Sequence, residues 1–372
     1  MKQLDALEST YDIIVAGDSV PLSYKVEFIN INVSPTTPKY FSWPWIFRLP
    51  FAIIAHLKRL LFEWFPMQKY WQSSQRRIQF KILRLIQKPD LIICHHFMML
   101  PLAYKLKKQF NSALILNTHE YYPLEYENQL DWLRNNFKMN QWIGKTYLSH
   151  CNSCFGVSEH INQRYLDEFG KDFVYIPNDK KYLNIEPSEV TDTIKLVHHG
   201  NAIPERGLEA IGDSICLLPA SYTLTFILVE IDPEYLQAFQ DRYHNEKRIC
   251  FKKEVEVKDI SASLNSYDIG LCIIEPSNFT YKYCLPNKFF EFIQARLAII
   301  AGLNPEVVML TEKHNLGLSI GSHDANSIAK TILRMSKSEI VKFKQNVHRK
   351  ANELSDDLTF KAIQLEVNKA LE

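Results

Sequence analysis

In "LPNKFFEF" (residues 285–292) a lysine and a glutamate stand where an ordinary buried helix would place neither. Pro286 and Asn287 suit the opening of a helix, which puts Lys288 in the first turn, where the helix dipole disfavours a cation. Glu291 lies among Phe289, Phe290, Phe292 and Ile293, where an unpaired carboxylate is costly to bury. Three residues apart, Lys288 and Glu291 share a helix face. One reading is an internal ion pair worth about 0.2–0.5 kcal/mol. The other is a ligand site. A helix N-terminus with an added lysine suits a diphosphate, and a carboxylate one turn further can accept two strong hydrogen bonds from a vicinal diol such as a ribose.

A second cation breaks the same rule in "LVHHGNAIPERGLEAI" (196–211). The pattern predicts a strand ending at Gly200, a loop carrying Asn201, and a helix starting near Pro204. Arg206 then sits in that helix's first turn. A solvated arginine beside Glu205 or Glu209 explains it equally well. The histidines His198 and His199 read as structural residues flanking the loop. "CNSC" (151–154) is a lone CxxC, and a zinc site needs two more ligands at defined spacing, so no metal is expected. The nearest approach to an Asp-x-Asp pair is "EID" (230–232), a weak candidate.

These residues need a frame. Short Val- and Ile-rich runs alternate with helix-length segments: "YDIIVAG", "PDLIICHH", "SALILNTHE" and "CFGVS", then "IKLVHHG", "YTLTFILVE", "KRICF", "YDIGLCII" and "LAIIAG". Such alternation predicts α/β architecture with parallel sheets covered on both faces. Loops leaving the carboxyl ends of such strands are where ligands bind, which places Gly200 and Arg206 at that edge. The polar stretch "IPNDKKYLNIEPSEVTD" (176–192) contains the expected linker. The opening "KQLDALEST" reads as the tail of a helix followed at once by a strand, so either the fold lacks its usual first strand or the start codon is placed too late.

Composition narrows the classes. At 372 residues the chain accommodates two domains, and 46% hydrophobic with 23% charged residues is a globular balance. A formal net charge of +1 argues against a nucleic-acid binder. The charge is uneven, because residues 39–88 hold ten Lys or Arg and one acid, Glu63. That block includes "WPWIFRLPFAIIAHLKRLLFEWF", whose prolines and cations leave it short of a membrane span. Its mixture of aromatic, aliphatic and basic residues suits a helix lying on an anionic membrane surface, or an insertion packed on its own domain. Seven cysteines, with Cys94, Cys216 and Cys272 reading as small core residues, indicate a reducing compartment. The eleven glycines form no GxGxxG and no Walker A loop, which disfavours dinucleotide dehydrogenases and P-loop kinases.

The segment "SYDIGLCIIEPSNFTYKYCLPNKFFEFIQARLAIIAG" resembles the donor-binding region of family 4 glycosyltransferases, where an "LPNKxxEY" core precedes a small or glycine-rich turn and an apolar strand. "HHGNAIPERGLEAI", "DLIICHHFMMLPLAYKLKK", "ALILNTHEYYPLE" and "CFGVSEHINQRYLDEFG…VYIPND" resemble further segments of that family in order, across most of residues 85–320. The resemblance implies a GT-B fold, two Rossmann-like α/β domains facing across a cleft. It divides the chain into an N-terminal acceptor-side domain (1–178, with the insertion at about 39–88), a linker (179–192), a C-terminal nucleotide-sugar domain (193–336), and helices (337–372) packing back toward the first domain. Glu291 then matches the glutamate that binds the donor ribose, and Gly200, Asn201, Pro286 and Asn287 line the donor. Arg206 and Lys288 would neutralise the leaving diphosphate. His119 matches a histidine facing the transferred sugar, with His95 and Glu120 on the acceptor side. Two positions depart from the pattern. Tyr283 replaces a frequent glutamate eight residues before Glu291, and His95-His96 stands where relatives often have His-Asp.

The implied function is a retaining, metal-independent hexosyltransferase with no cofactor beyond its nucleotide-sugar co-substrate. Its acceptor would be lipid-linked or a saccharide, at the inner face of the cytoplasmic membrane, in bacterial surface polysaccharide (capsule or lipopolysaccharide) or glycolipid synthesis. A sugar-nucleotide epimerase of similar fold and a non-catalytic scaffold are the alternatives.

Overall fold

The computed structural model describes residues 2–17, 26–30 and 88–372. The basic block lies outside these residues except for Lys88, at its end. The chain divides into two compact units. The first comprises residues 1–156, 162–174 and 360–372, and the second residues 157–161 and 175–359.

The second unit is built on a six-stranded sheet of β7 (Ile194–Ala202), β8 (Tyr222–Glu230), β9 (Ile249–Lys252), β10 (Ile269–Cys272), β11 (Ala298–Ala301) and β12 (Gly317–Ser319). Every pairing is parallel and the spatial order is β9-β8-β7-β10-β11-β12. Side chains alternate between its faces, as a two-residue period requires. Leu196, Ile269, Leu271, Ala298 and Ile300 join one core with Leu208, Ile211, Ile328 and Ile332. Val197, Cys272, Ile299 and Ala301 join the other with Phe289, Phe292 and Ile293. Both faces are therefore buried, and the strands read as continuous apolar runs for that reason. Gly270 permits close packing on this face, because a Cβ there would lie 2.5 Å from the Phe292 ring. Strand β7 runs two residues past the expected end at Gly200, since it pairs with β8 as far as Ala202 opposite Glu230. Helix Lys337–Lys350 opens on a capping box of Ser336 and Glu339 and belongs to this unit.

In the first unit, β1 (Ile14–Gly17) and β2 (Glu27–Asn30) pair in parallel after the short helix Lys2–Leu7. A four-stranded sheet follows in the order β3 (Leu91–Cys94), β4 (Ala113–Asn117), β5 (Ser153–Gly156), β6 (Val174–Tyr175). Helix Leu100–Phe110 stops at Asn111, which takes the left-handed conformation at φ 56° that ends many helices. The last residues of the chain attach here. Ser153 donates to Glu366 at 2.8 Å, Gln364 to the Ala6 carbonyl at 2.8 Å, and Tyr11 to Asn368 at 2.6 Å.

One cysteine reading is corrected. Cys94 and Cys272 are buried, but Cys216 is exposed, because it ends helix Leu208–Cys216 on the outward side, 3.9 Å from Glu246.

Candidate functional site: two clusters at strand ends

The strand order of the second unit reverses between β7 and β10, the point where open α/β sheets leave room for a ligand at their carboxyl edge. Gly200 lies on β7 there at φ +134°, a conformation that L side chains avoid. A Cβ at Gly200 would stand 3.3 Å from the Lys288 ammonium, so glycine lets the lysine tip reach the strand backbone. Helix Asn287–Gln294 follows β10, and Pro286, in extended backbone before it, offers no side chain to cap its amino end.

Lys288 is held in turn by His198. A carbonyl has no proton to give, so His198 Nδ1, 2.9 Å from the Leu271 carbonyl, must carry the N–H. Its Nε2 is then the acceptor that faces the Lys288 ammonium at 3.2 Å. Burial holds the His198 pKa well below the usual histidine value, with the Lys288 charge adding to the effect. Lys288 itself is brought down to about 8, first by burial and then by the charge of Arg206. The helix thus keeps a desolvated, easily deprotonated cation at its start.

Glu291 points elsewhere. No ion pair joins it to Lys288; its Oε1 takes Lys180 at 3.1 Å, and Lys180 also donates to Asn287 Oδ1 at 3.1 Å. His199 Nε2 approaches the other oxygen at 3.3 Å without the alignment of a hydrogen bond. Burial, with the charges of Lys288 and Lys180, brings His199 to about 3, so the ring is neutral at pH 7. Glu291 is 4% exposed and Lys288 8%, which makes the charges around them strong by limiting water's screening.

Arg206 ends the short turn Pro204–Arg206 that leaves β7. It is not salt-bridged to Glu205 or Glu209; its guanidinium lies 4.4 Å over the Tyr281 ring, and its buried Nε has no partner. Glu209 instead accepts from Tyr235 at 2.9 Å. Asn201 and Asn287 lie at this edge, Asn201 exposed. Asp232 of "EID" accepts from the Tyr235 amide and caps helix Pro233–Arg242.

A separate cluster sits at strand ends of the first unit. His95 follows β3, Asn117 ends β4, and His119 and Glu120 come next. The Asn117 amide nitrogen lies 3.3 Å from His95 Nδ1 and 3.2 Å from His119 Nε2. Asn117 is buried while both histidines are exposed. The Glu120 carbonyl accepts from Tyr165 at 3.0 Å. Burial, and then the charge of Glu120, raises the neighbouring Glu125 to about 8. His96 plays a different part, since its Nδ1 accepts from the Met98 amide and caps the turn after β3. Cys151 and Cys154 are free thiols, and no group of three or more metal-ligating side chains is gathered among the described residues.

Lys288, Glu291, Gly200 and Arg206, expected together from the sequence, do lie in one region of the second unit. His95, His119 and Glu120 lie in one region of the first. His198, read from the sequence as structural, stands behind Lys288, and three supporting residues carry no assignment at the level of sequence: Lys180 beside Glu291, Tyr281 under Arg206, and Asn117 between the histidines. The doubled histidine and the lysine pair after "IPND" were the available signals.

No protein-family model and no curated protein matches the sequence. Solved structures do match. Sucrose-phosphate synthase from Thermosynechococcus elongatus superposes with a TM-score of 0.66 at 14% identity, over 82% of this chain and 79% of that one. HepE from Anabaena, solved with UDP-glucose, gives 0.64 at 13% identity over 78% and 82%. TarM from S. aureus, solved with fondaparinux, α-GlcNAc-glycerol and UDP, gives 0.63 at 13% identity. That match covers 81% of this chain but only 59% of TarM. The fold is the α/β fold of GT-B glycosyltransferases.

Proposed function

We propose that the chain is a family 4 hexosyltransferase that moves a sugar from a nucleotide diphosphate to a lipid-linked or saccharide acceptor, with retention and without metal. The observation that carries the reading is the placement of Lys288 against Gly200, with Glu291 on the same helix, at the switch point of the sheet. Departure of the nucleotide leaves negative charge on its diphosphate. Lys288, Arg206 and the uncapped helix end offer that charge preorganised positive partners, the largest kind of catalytic contribution. Glu291 accepts from the ribose hydroxyls, with Lys180 and Asn287 holding it in place. Gly200 and Asn201 leave room for the diphosphate beside β7. His119, with His95 and Glu120 nearby, serves the sugar and acceptor side. The basic, aromatic composition of residues 39–88 supports a peripheral position on the inner face of a bacterial cytoplasmic membrane, where capsule or lipopolysaccharide sugars are assembled. Among the described residues no helix is long and apolar enough to cross a membrane.

The test is release of nucleoside diphosphate from UDP-glucose, UDP-GlcNAc, GDP-mannose and dTDP-rhamnose, in EDTA, with and without membrane lipid extract. Acceptor-dependent release that Lys288→Ala reduces by at least 100-fold is expected. Conversion of the donor to an isomer without acceptor would identify an epimerase instead. A complete absence of turnover would leave the scaffold reading in possession.

A further inference from the structure

We propose that Asn117 is a positioning residue that sets the tautomers of His95 and His119, so that both rings present an N–H to an oxygen-bearing ligand rather than a basic nitrogen. The amide nitrogen of Asn117 can only donate. It carries two hydrogens and meets two ring nitrogens, His95 Nδ1 at 3.3 Å and His119 Nε2 at 3.2 Å. Each of those nitrogens is therefore the lone-pair side of a neutral imidazole. The proton of His95 must sit on Nε2 and that of His119 on Nδ1, each directed away from the amide.

The charges nearby agree with the neutral state, although both residues keep an exposed edge. Desolvation by the surrounding protein lowers His95 to about 4, with the neighbouring His119 contributing, and lowers His119 as well, with Lys2 contributing. Asn117, at 1% exposure, is fixed at the end of β4 between them. A carboxylate in its place would accept from both rings and reverse both tautomers. Asparagine instead gives a donor pair, fitted to sugar hydroxyl or phosphate oxygens. That ligand assignment rests on the proposed function, whereas the tautomers do not.

The test is long-range 1H–15N correlation of the full chain labelled in histidine, at pH 7, with the two rings assigned from His95→Gln and His119→Gln. The expected result is His119 protonated on Nδ1, the form less favoured in free histidine, and His95 protonated on Nε2. In Asn117→Asp both should invert. The wild-type spectrum is decisive even where that variant does not fold: His119 protonated on Nε2, or imidazolium at pH 7, overturns the proposal. Unchanged tautomers in a folded Asn117→Asp overturn it equally. Failure of donor turnover alongside the expected tautomers would count against the glycosyltransferase reading and leave this one standing.

Discussion

At the scale of single residues, the informative signal is a polar side chain in a place that physical chemistry penalises. Lys288 at a helix start and Glu291 within a phenylalanine cluster are conspicuous in the sequence, and the structure brings them to the same sheet edge. Their partners were not legible. The Leu271 carbonyl that orients His198 is 73 positions away, and Lys180 lies 107 positions from Asn287. Pairings of that range depend on the fold, and one sequence does not display them. The depressed Lys288 makes a pH prediction. Its pKa falls from 10.5 in the unfolded chain to about 8, so the unfolded state holds more protons between those values and stability rises with pH across that window. Diphosphate binding should run the other way, because it needs the ammonium. The Kd for UDP or GDP, measured by calorimetry from pH 6.5 to 9.5, should weaken about tenfold per unit above pH 8 to 9, and Lys288→Arg should flatten that slope. An identical slope in Lys288→Arg would assign the titration to another group.

At the scale of elements, the alternation of strands and helices was readable because a parallel sheet buried on both faces demands continuous apolar runs. Ends were less readable. Strand β7 continues past Gly200 because β8 offers it partners, and a residue-by-residue pattern carries no record of the neighbour's length. The turn before β11 shows a similar limit. Arg296 occupies φ +63°, a conformation that favours glycine, and it is wholly buried with its guanidinium bonded to the Ile293 and Gln294 carbonyls. Those bonds offset the backbone penalty. A comparable buried cation fastens helix Lys337–Lys350 to the sheet. Lys344 donates to Ser188 at 2.9 Å and to the Tyr267 carbonyl at 2.8 Å, with Asp268 at 3.5 Å. Removing one partner of a buried pair costs about 3–5 kcal/mol. Lys344→Met should therefore lower the urea stability of the second unit by about that amount. A loss below about 1 kcal/mol would show that the helix is held by its apolar face, through Ile340, Phe343 and Val347, and not by this lysine.

At the scale of the whole molecule, a near-neutral chain with a locally basic block and no glycine-rich phosphate loop points to a site that gathers cations from separate elements. The fold agrees with solved glycosyltransferases at 12–14% identity, so few residues coincide although the chain path does. On the proposed function, four positions would hold the donor: Gly200, Arg206, Lys288 and Glu291. The most direct measurement is thermal stabilisation of the purified chain by UDP, GDP, dTDP, ADP and CMP in EDTA, beside Glu291→Ala. A ligand at 100 times its Kd adds about 2.7 kcal/mol to the folded state and must raise Tm. One diphosphate should stabilise the wild type, and Glu291→Ala, folded, should respond far less. Stabilisation by none of them, or an undiminished response in Glu291→Ala, would contradict a donor site at these four positions.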